Sequence, residues 1–343
     1  MRLGVLTGGG DCPGLNAAIR AITRRTVDRG HQVVGILGSW RGLVEGETMP
    51  LDRRAVSGLL PRGGTILGMT RSDPFRTEGG VGAVLRHASE LGLDGVVAIG
   101  GEGTLTIAHR LYAEHGLPVV GVPKTIDNDL AATDYTFGFD TAVHVCVEAI
   151  DRLHTTAESH NRVMVVEVMG RTTGWIALYA GIAGGADVVL VPEDDLPIED
   201  ACDALRRRHA HGKDFSIVVV AEGTRLTRRS GEQVLVTQGE DEYGFVRYGG
   251  VGARVAEEIE RATGYETRVT VLGHVQRGGT PTSRDRVLAT RFGLKAADLA
   301  HEGRWGRMAA LRGDAVVDVA LDEAIAEIKR VPASWLESAR ALA

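Results

Sequence analysis

Of 343 residues, 46 are glycine and 10 proline, while 43% are hydrophobic. Glycine at nearly twice the usual ~7%, with no Gly-X-Y period, excludes collagen and proline-rich low complexity. Thirty-nine Lys+Arg against 45 Asp+Glu give a net charge of −6, so bulk attraction to nucleic acid or an anionic membrane is not expected. Along the chain, short β-branched runs recur at 3–6, 32–37, 95–99, 118–122, 163–168, 187–191, 216–220 and 268–272, each closed by glycine or a polar turn. Near-continuous apolar runs of this kind read as parallel strands buried on both faces. Helical stripes lie between them. Leu15, Ile19 and Ile22 mark one, and Ala142, Cys146, Ala149 and Leu153 another, with Asp140 as the expected N-cap. The alternation predicts an α/β, doubly wound architecture, with ligands beyond the carboxyl ends of the strands.

Three features qualify this rhythm. The polar segment 224–248 reads as a surface hairpin, with β-like pieces at 234–238 and 243–248. The longest apolar stretch, 175–183, is too short to cross a bilayer, and the start Met1-Arg2-Leu3-Gly4 has no signal-peptide pattern. Cys12, Cys146 and Cys202 are odd in number and far apart, which points to a reducing compartment. A cytoplasmic protein is expected.

The glycine clusters fall where chemistry is expected. Gly8-Gly9-Gly10-Asp11-Cys12-Pro13-Gly14-Leu15-Asn16 follows a strand and opens a helix, the arrangement of a backbone anion site. The alternative is a tight turn that needs glycine for packing alone. Neither G-x-x-x-x-G-K-[ST] nor a G-x-G-x-x-G after a strand is present, which disfavours a P-loop ATPase or a Rossmann dehydrogenase. Gly100-Gly101-Glu102-Gly103-Thr104 repeats the layout with a carboxylate inside, which suggests Mg²⁺ beside phosphate or, equally, a solvent-facing Glu102. Pro123-Lys124-Thr125-Ile126-Asp127-Asn128-Asp129 puts two acids after a strand: an ordinary polar turn, or the base that phosphoryl transfer to an alcohol requires. Arg162, Arg171, Arg268, His274 and Arg277 stand at strand ends, either as surface ion pairs or as recognition of an anionic group.

Together the strings Gly9-Gly10-Asp11-Cys12-Pro13-Gly14-Leu15-Asn16, Gly100-Gly101-Glu102-Gly103-Thr104, Pro123-Lys124-Thr125-Ile126-Asp127-Asn128-Asp129, Val168-Met169-Gly170-Arg171 and Gly273-His274-Val275-Gln276-Arg277-Gly278-Gly279 resemble the bacterial 6-phosphofructokinase family, in order and over nearly the whole chain. The resemblance implies two three-layer α/β/α domains with mostly parallel sheets. Residues 1–138 plus about 276–325 would hold the phosphoryl donor, and 139–275 plus about 326–343 the sugar phosphate. It implies Mg²⁺-assisted transfer from ATP to the 1-hydroxyl of fructose 6-phosphate. Asp127 would be the base, positioned by Thr125; Arg171 would stabilise the phosphoryl group in flight, and Asp129 would orient the metal or Arg171. Glu102 stands where the family places its Mg²⁺ acid. Gly10, Arg71, Ser72, Gly101, Gly103 and Thr104 would hold the nucleotide. Thr125, Asp127, Arg162, Met169, Gly170, Arg171, Glu222, Arg268, His274 and Arg277 would hold the sugar phosphate. A homotetramer is implied, with Arg162 and Arg268 reaching a neighbour's site.

Two positions bear on the donor and disagree. Gly103 resembles ATP-dependent members, since pyrophosphate-dependent relatives usually carry Asp there. Lys124 resembles the pyrophosphate enzymes; a flexible lysine that moves aside reconciles it with ATP. An effector site is the family's habit, and Arg20, Arg24, Arg53 or Arg54 and Lys213 could contribute. His154 and His211 stand where arginine is common, however, and Asp187 where glutamate is. NAD and diacylglycerol kinases share only the Gly-Gly-Asp-Gly-Thr-like loop. A non-catalytic sugar-phosphate sensor would be expected to lose Asp127 or Arg171.

Overall fold

A computed structural model describes residues 1–234 and 249–341. Its strands are β1 (Arg2–Thr7), β2 (Gln32–Ile36), β3 (Thr48–Leu51), β4 (Gly95–Gly100), β5 (Val119–Thr125), β6 (Phe137–Gly138), β7 (Val163–Val168), β8 (Val188–Leu190), β9 (Ser216–Ala221), β10 (Thr267–Val271), β11 (Arg307–Arg312) and β12 (Ala315–Ala320). The chain divides into two compact units. One comprises Met1–Thr141 and Arg277–Ile328, the other Ala142–Gln276 and Lys329–Ala343.

The first unit is built on a sheet of order β12-β11-β5-β4-β1-β2-β3, with β6 pairing β5. Its central strands are parallel. Only β3 on β2 and β12 on β11 run antiparallel. β1, β4 and β5 are buried almost end to end, as both-face coverage requires. Leu15, Ile19 and Ile22 are fully buried along the helix Leu15–Asp28. The second unit holds an all-parallel sheet of order β10-β7-β9-β8, with a core of Val163, Val165, Val218, Val220, Leu205 and Ile259. Both units are doubly wound α/β.

All eight strands expected from the sequence are present, with ends within three residues of the expected ones. Four others escape the pattern. β11 and β12 form a hairpin around Gly313 (φ 57°); β11 has no β-branched residue, and in β12 Asp318 interrupts Val316, Val317 and Val319. The stripe on the helix Phe139–His160 also shifts. Ala142, Cys146, Ile150 and Ala157 are fully buried, whereas Ala149 and Leu153 are half-buried. Asp140 is not its N-cap. It lies within the first turn, and its Oδ2 accepts from Thr282 Oγ1 at 2.6 Å. The helix start is served from a distant helix, Ser283–His301: Asp285 Oδ2 accepts from Thr141 N at 2.8 Å and Thr141 Oγ1 at 2.6 Å. Of the expected hairpin in 224–248, residues 235–248 lie outside the described residues.

Burial pushes the Asp285 carboxyl up to about 6, against hydrogen bonds from Thr141 that oppose the shift. A raised folded value means the native state binds more protons than the unfolded chain between about pH 4 and 6. The stability from this group is therefore complete below about pH 4 and lost as pH rises through 6. Asp285→Asn removes the titration. Relative to wild type, the variant should gain about 2 kcal/mol between pH 4 and pH 7, measured by urea unfolding. A pH-independent difference would show that Asp285 titrates normally.

Candidate functional site

β1 and β4 lie side by side in parallel register, from Leu3↔Gly95 to Thr7↔Ile99, so their two glycine loops leave the same end of the sheet. Gly8 N–H donates to Ile99 O at 2.9 Å. Between the loops sits Thr104, buried in the first turn of the helix Glu102–His115. A Cβ on Gly8 would lie 2.5 Å from Thr104 Oγ1, and one on Gly100 would overlap the Thr104 side chain. Side chains of the chain itself therefore require these two glycines. Phosphate alone does not explain them. Gly103 is different: its φ is not left-handed, and a Cβ there would meet no heavy atom within 4 Å apart from its chain neighbours and the backbone of its own helix. It is exposed at the start of a helix, where glycine is a poor former. Nothing in its own surroundings asks for glycine.

Glu102 heads the same helix, exposed, at the end whose dipole favours anions. Among the described residues no group of three or more His, Cys, Asp or Glu could hold a metal ion. One exposed carboxylate fits Mg²⁺, which commonly takes one or two protein carboxylates, with phosphates and water completing the shell.

Lys124 contradicts the flexible-rim expectation. It is 2% exposed at the end of β5, and its Nζ donates to Gly10 O at 2.6 Å. Burial pulls its pKa down, with nearby Cys12, Asp127 and Asp11 opposing. The ammonium is a strut between two strand-end loops. Arg277 braces the same loop: Nη1 donates to Asp11 O at 3.2 Å and would lie 2.5 Å from a Cβ on Gly10. Gly10 and Arg277, assigned to different ligands by the resemblance, are thus neighbours in the first unit.

The turn after β5 is buried. Thr125 is 8% exposed, Asp127 5% and Asn128 1%, with Asp129 half-buried. Thr125 Oγ1 accepts from Asp127 N–H at 3.0 Å, which fixes the turn that presents the acid. Asn128 sits at φ 50°, and its Oδ1 accepts from the buried Thr136 N–H at 3.1 Å. Thr136 Oγ1 donates to Thr125 O at 2.8 Å, closing the network. Sequence reading passed over Asn128, although asparagine between two aspartates is the side chain best suited to a left-handed position. Arg71 is exposed, while Ser72 Oγ accepts from Arg41 N at 2.9 Å, tying this segment to the helix Trp40–Glu45.

In the second unit β7 runs out through half-buried Met169 and buried Gly170 to exposed Arg171. Gly170 (φ 145°) and Arg171 (φ 52°) make a sharp turn, held by Glu222 Oε1 accepting from Arg171 N–H at 3.1 Å. Arg162 precedes β7 and Arg268 lies on β10, paired in register as Thr267↔Val163. Both guanidiniums converge on Glu266 Oε1, Arg162 at 2.8 Å. Their pull holds the Glu266 carboxyl below its usual range, Arg162 chiefly. Sequence reading missed Glu266, whose signal is an acid two residues from an arginine at a strand start. His274 is exposed in the short helical turn Gly273–Arg277. Of the effector candidates, Asp187 accepts from Ile217 N–H at 2.8 Å and pairs with Arg208 at 2.8 Å, and His154 Nε2 lies 2.7 Å from Gly184 O. His211 Nδ1 lies 2.6 Å from Arg207 O, and Arg53 pairs with Asp28.

Comparison with known proteins gives this arrangement its class. The phosphofructokinase family model matches residues 2–300. A pyrophosphate–fructose 6-phosphate 1-phosphotransferase of Streptomyces coelicolor is 55% identical over 338 residues, 98% of each chain. An ATP-dependent 6-phosphofructokinase of the same organism is 53% identical over 97% of each chain, and one from Mycobacterium leprae is 51% identical over 99% of each. The Saccharomyces cerevisiae phosphofructokinase structure superposes with a TM-score of 0.82 at 32% identity, covering 95% of this chain and 45% of the yeast chain. The chain belongs to the phosphofructokinase family and is a phosphotransferase.

Asn128→Ala combines left-handed strain of about 1–2 kcal/mol with an unsatisfied buried N–H of about 1–3 kcal/mol. The variant should lose about 2–5 kcal/mol in denaturant unfolding. Asn128→Gly should recover the strain part alone. Equal stability of the two variants would remove the strain argument.

Proposed function

We propose that the chain is an ATP-dependent 6-phosphofructokinase, forming fructose 1,6-bisphosphate from fructose 6-phosphate. The observation that carries the donor assignment is Gly103, with open space before its Cα and no packing or conformational need for glycine. An aspartate there would project a carboxylate into that space and repel a nucleotide's phosphates. Pyrophosphate is the second reading, favoured by Lys124 and by relatives of that name at 54–55% identity.

In the reaction, Asp127 takes the proton of the sugar 1-hydroxyl as its oxygen bonds the γ-phosphorus, and the β–γ bridging bond breaks to release ADP. Thr125 holds the Asp127 turn. Arg171, aimed by Glu222 through its backbone, meets the charge of the transferring group, and Asp129 orients the cation or that arginine. Gly10, Arg71, Ser72, Gly101, Gly103 and Thr104 form the nucleotide side. Mg²⁺ at Glu102 would neutralise charge between phosphate oxygens. The sugar phosphate falls to Met169, Gly170, Glu222, His274, Arg277, Arg162 and Arg268. The last two are assigned to a neighbour's site in a homotetramer. Arg268 shares the outer strand β10 with exposed Val269 and Val271, an apolar surface that a second copy would cover.

Purified protein should show a higher kcat/KM with ATP than with pyrophosphate, and Gly103→Asp should lower the ATP value at least about tenfold. A higher value with pyrophosphate overturns the donor assignment. Asp127→Asn should lose about 10²–10⁴ in kcat while still binding fructose 6-phosphate by calorimetry. Unchanged turnover removes the base.

A further inference from the structure

Gln276 is fully buried at the end of the second unit, the innermost residue of the turn that carries His274. Its amide makes three hydrogen bonds. Oε1 accepts from the backbone N–H of Met169 at 3.2 Å and from Cys146 Sγ at 3.2 Å, while Nε2 donates to Gly273 O at 3.0 Å. The amide orientation follows from chemistry. Met169 N–H can only donate and Gly273 O can only accept, so oxygen faces the first and nitrogen the second. Burial pushes the Cys146 thiol well up, so it keeps its proton and serves as the second donor to Oε1. No other uncharged side chain of this length offers both an acceptor and a donor.

The two backbone groups it joins belong to segments that carry proposed ligand contacts. Met169 N–H lies at the exit of β7, immediately before Gly170 and the left-handed Arg171. Gly273 O opens the turn in which His274 follows, and Gly273 is itself at φ 51°. β10 and β7 are hydrogen-bonded up to Val271↔Glu167, and Leu272 N–H still donates to Glu167 O at 3.0 Å. Beyond that point no strand pairing sets the spacing of the two segments, and the Gln276 side chain spans it.

We propose that Gln276 is a positioning residue for the sugar phosphate, setting the separation of Met169-Gly170-Arg171 from His274 by bridging their backbones. The proposal rests on the assignment of those residues to fructose 6-phosphate. It adds a residue that touches no substrate and a length requirement: one amide, four bonds from the Cα to its polar atoms. Asparagine is too short to reach both groups, and methionine fills the volume with neither bond. Glutamate keeps the acceptor but sets a carboxylate against Gly273 O unless it is protonated, so its defect should shrink as pH falls.

The test uses the full chain and four proteins: wild type, Gln276→Met, Gln276→Asn and Gln276→Glu. For each, KM for fructose 6-phosphate, KM for the donor, kcat and Tm are measured, with calorimetric binding of fructose 6-phosphate at about pH 8 and pH 6. The fructose 6-phosphate KM and Kd of the Met and Asn variants should rise about tenfold or more, the donor KM staying within about twofold of wild type. The Glu variant's Kd, as a ratio to wild type, should fall toward one at the lower pH, and that of Met should not. Equal changes in both KM values, or a fall in Tm and active fraction with the fructose 6-phosphate Kd intact, would reduce Gln276 to packing and overturn the proposal. Failure of the underlying assignment looks different: wild type itself would neither bind nor phosphorylate fructose 6-phosphate.

Discussion

Parallel sheets leave a problem at the carboxyl end of every strand: the backbone stops pairing while still buried, and each freed N–H or C=O needs a partner. This chain meets it with long or forked polar side chains sent across from a neighbouring segment. Lys124 takes Gly10 O, Asn128 takes Thr136 N–H, Asp285 takes Thr141 N–H and Gln276 takes Met169 N–H. Glu167, 3% exposed on β7, accepts from Gly250 N–H at 3.2 Å and Gly252 N–H at 2.7 Å and so starts the helix Val251–Thr263. At the opposite end of a strand, Asp187 accepts from Ile217 N–H near the start of β9. Such ties are strong because a buried group left alone costs about 1–3 kcal/mol, so the loops have one arrangement that satisfies them.

The ties explain why the residues proposed to meet ligands can sit on turns and still be held firmly. Asp127 is on a turn, but its own N–H, the next side chain and the next-but-eight backbone N–H are all engaged. Arg171 is exposed, yet its backbone is fixed by Glu222 and by the conformation at Gly170.

What the sequence made legible follows the same division. Strands buried on both faces announce themselves as β-branched runs, and all eight such runs became strands. The antiparallel β11–β12 pair did not, because Met308-Ala309-Ala310-Leu311 fits a helix equally well and Asp318 interrupts the valines of β12. The residues proposed to face ligands stand in motifs that the sequence shows directly. The ties were not, because each is defined by a partner far along the chain: 114 residues separate Lys124 from Gly10, and 144 separate Asp285 from Thr141. A lysine beside Thr125 reads as a ligand-seeking cation until the carbonyl it already holds is known. The expectation that it would swing aside failed for that reason.

The glycine excess resolves in the same terms. Gly8 and Gly100 are small because Thr104 enters between two adjacent strand ends, while Gly10 lies against the flexible end of Arg277. These glycines are the complement of side chains, and they make the loops close enough to share one site. Gly103 has no such complement. Its helix would be better formed with almost any other residue, and no atom of the chain fills the place a side chain would take. A position that is unfavourable to the fold and unused by the packing is where a functional requirement has the room to act, and here that room lies one residue from the carboxylate suited to Mg²⁺.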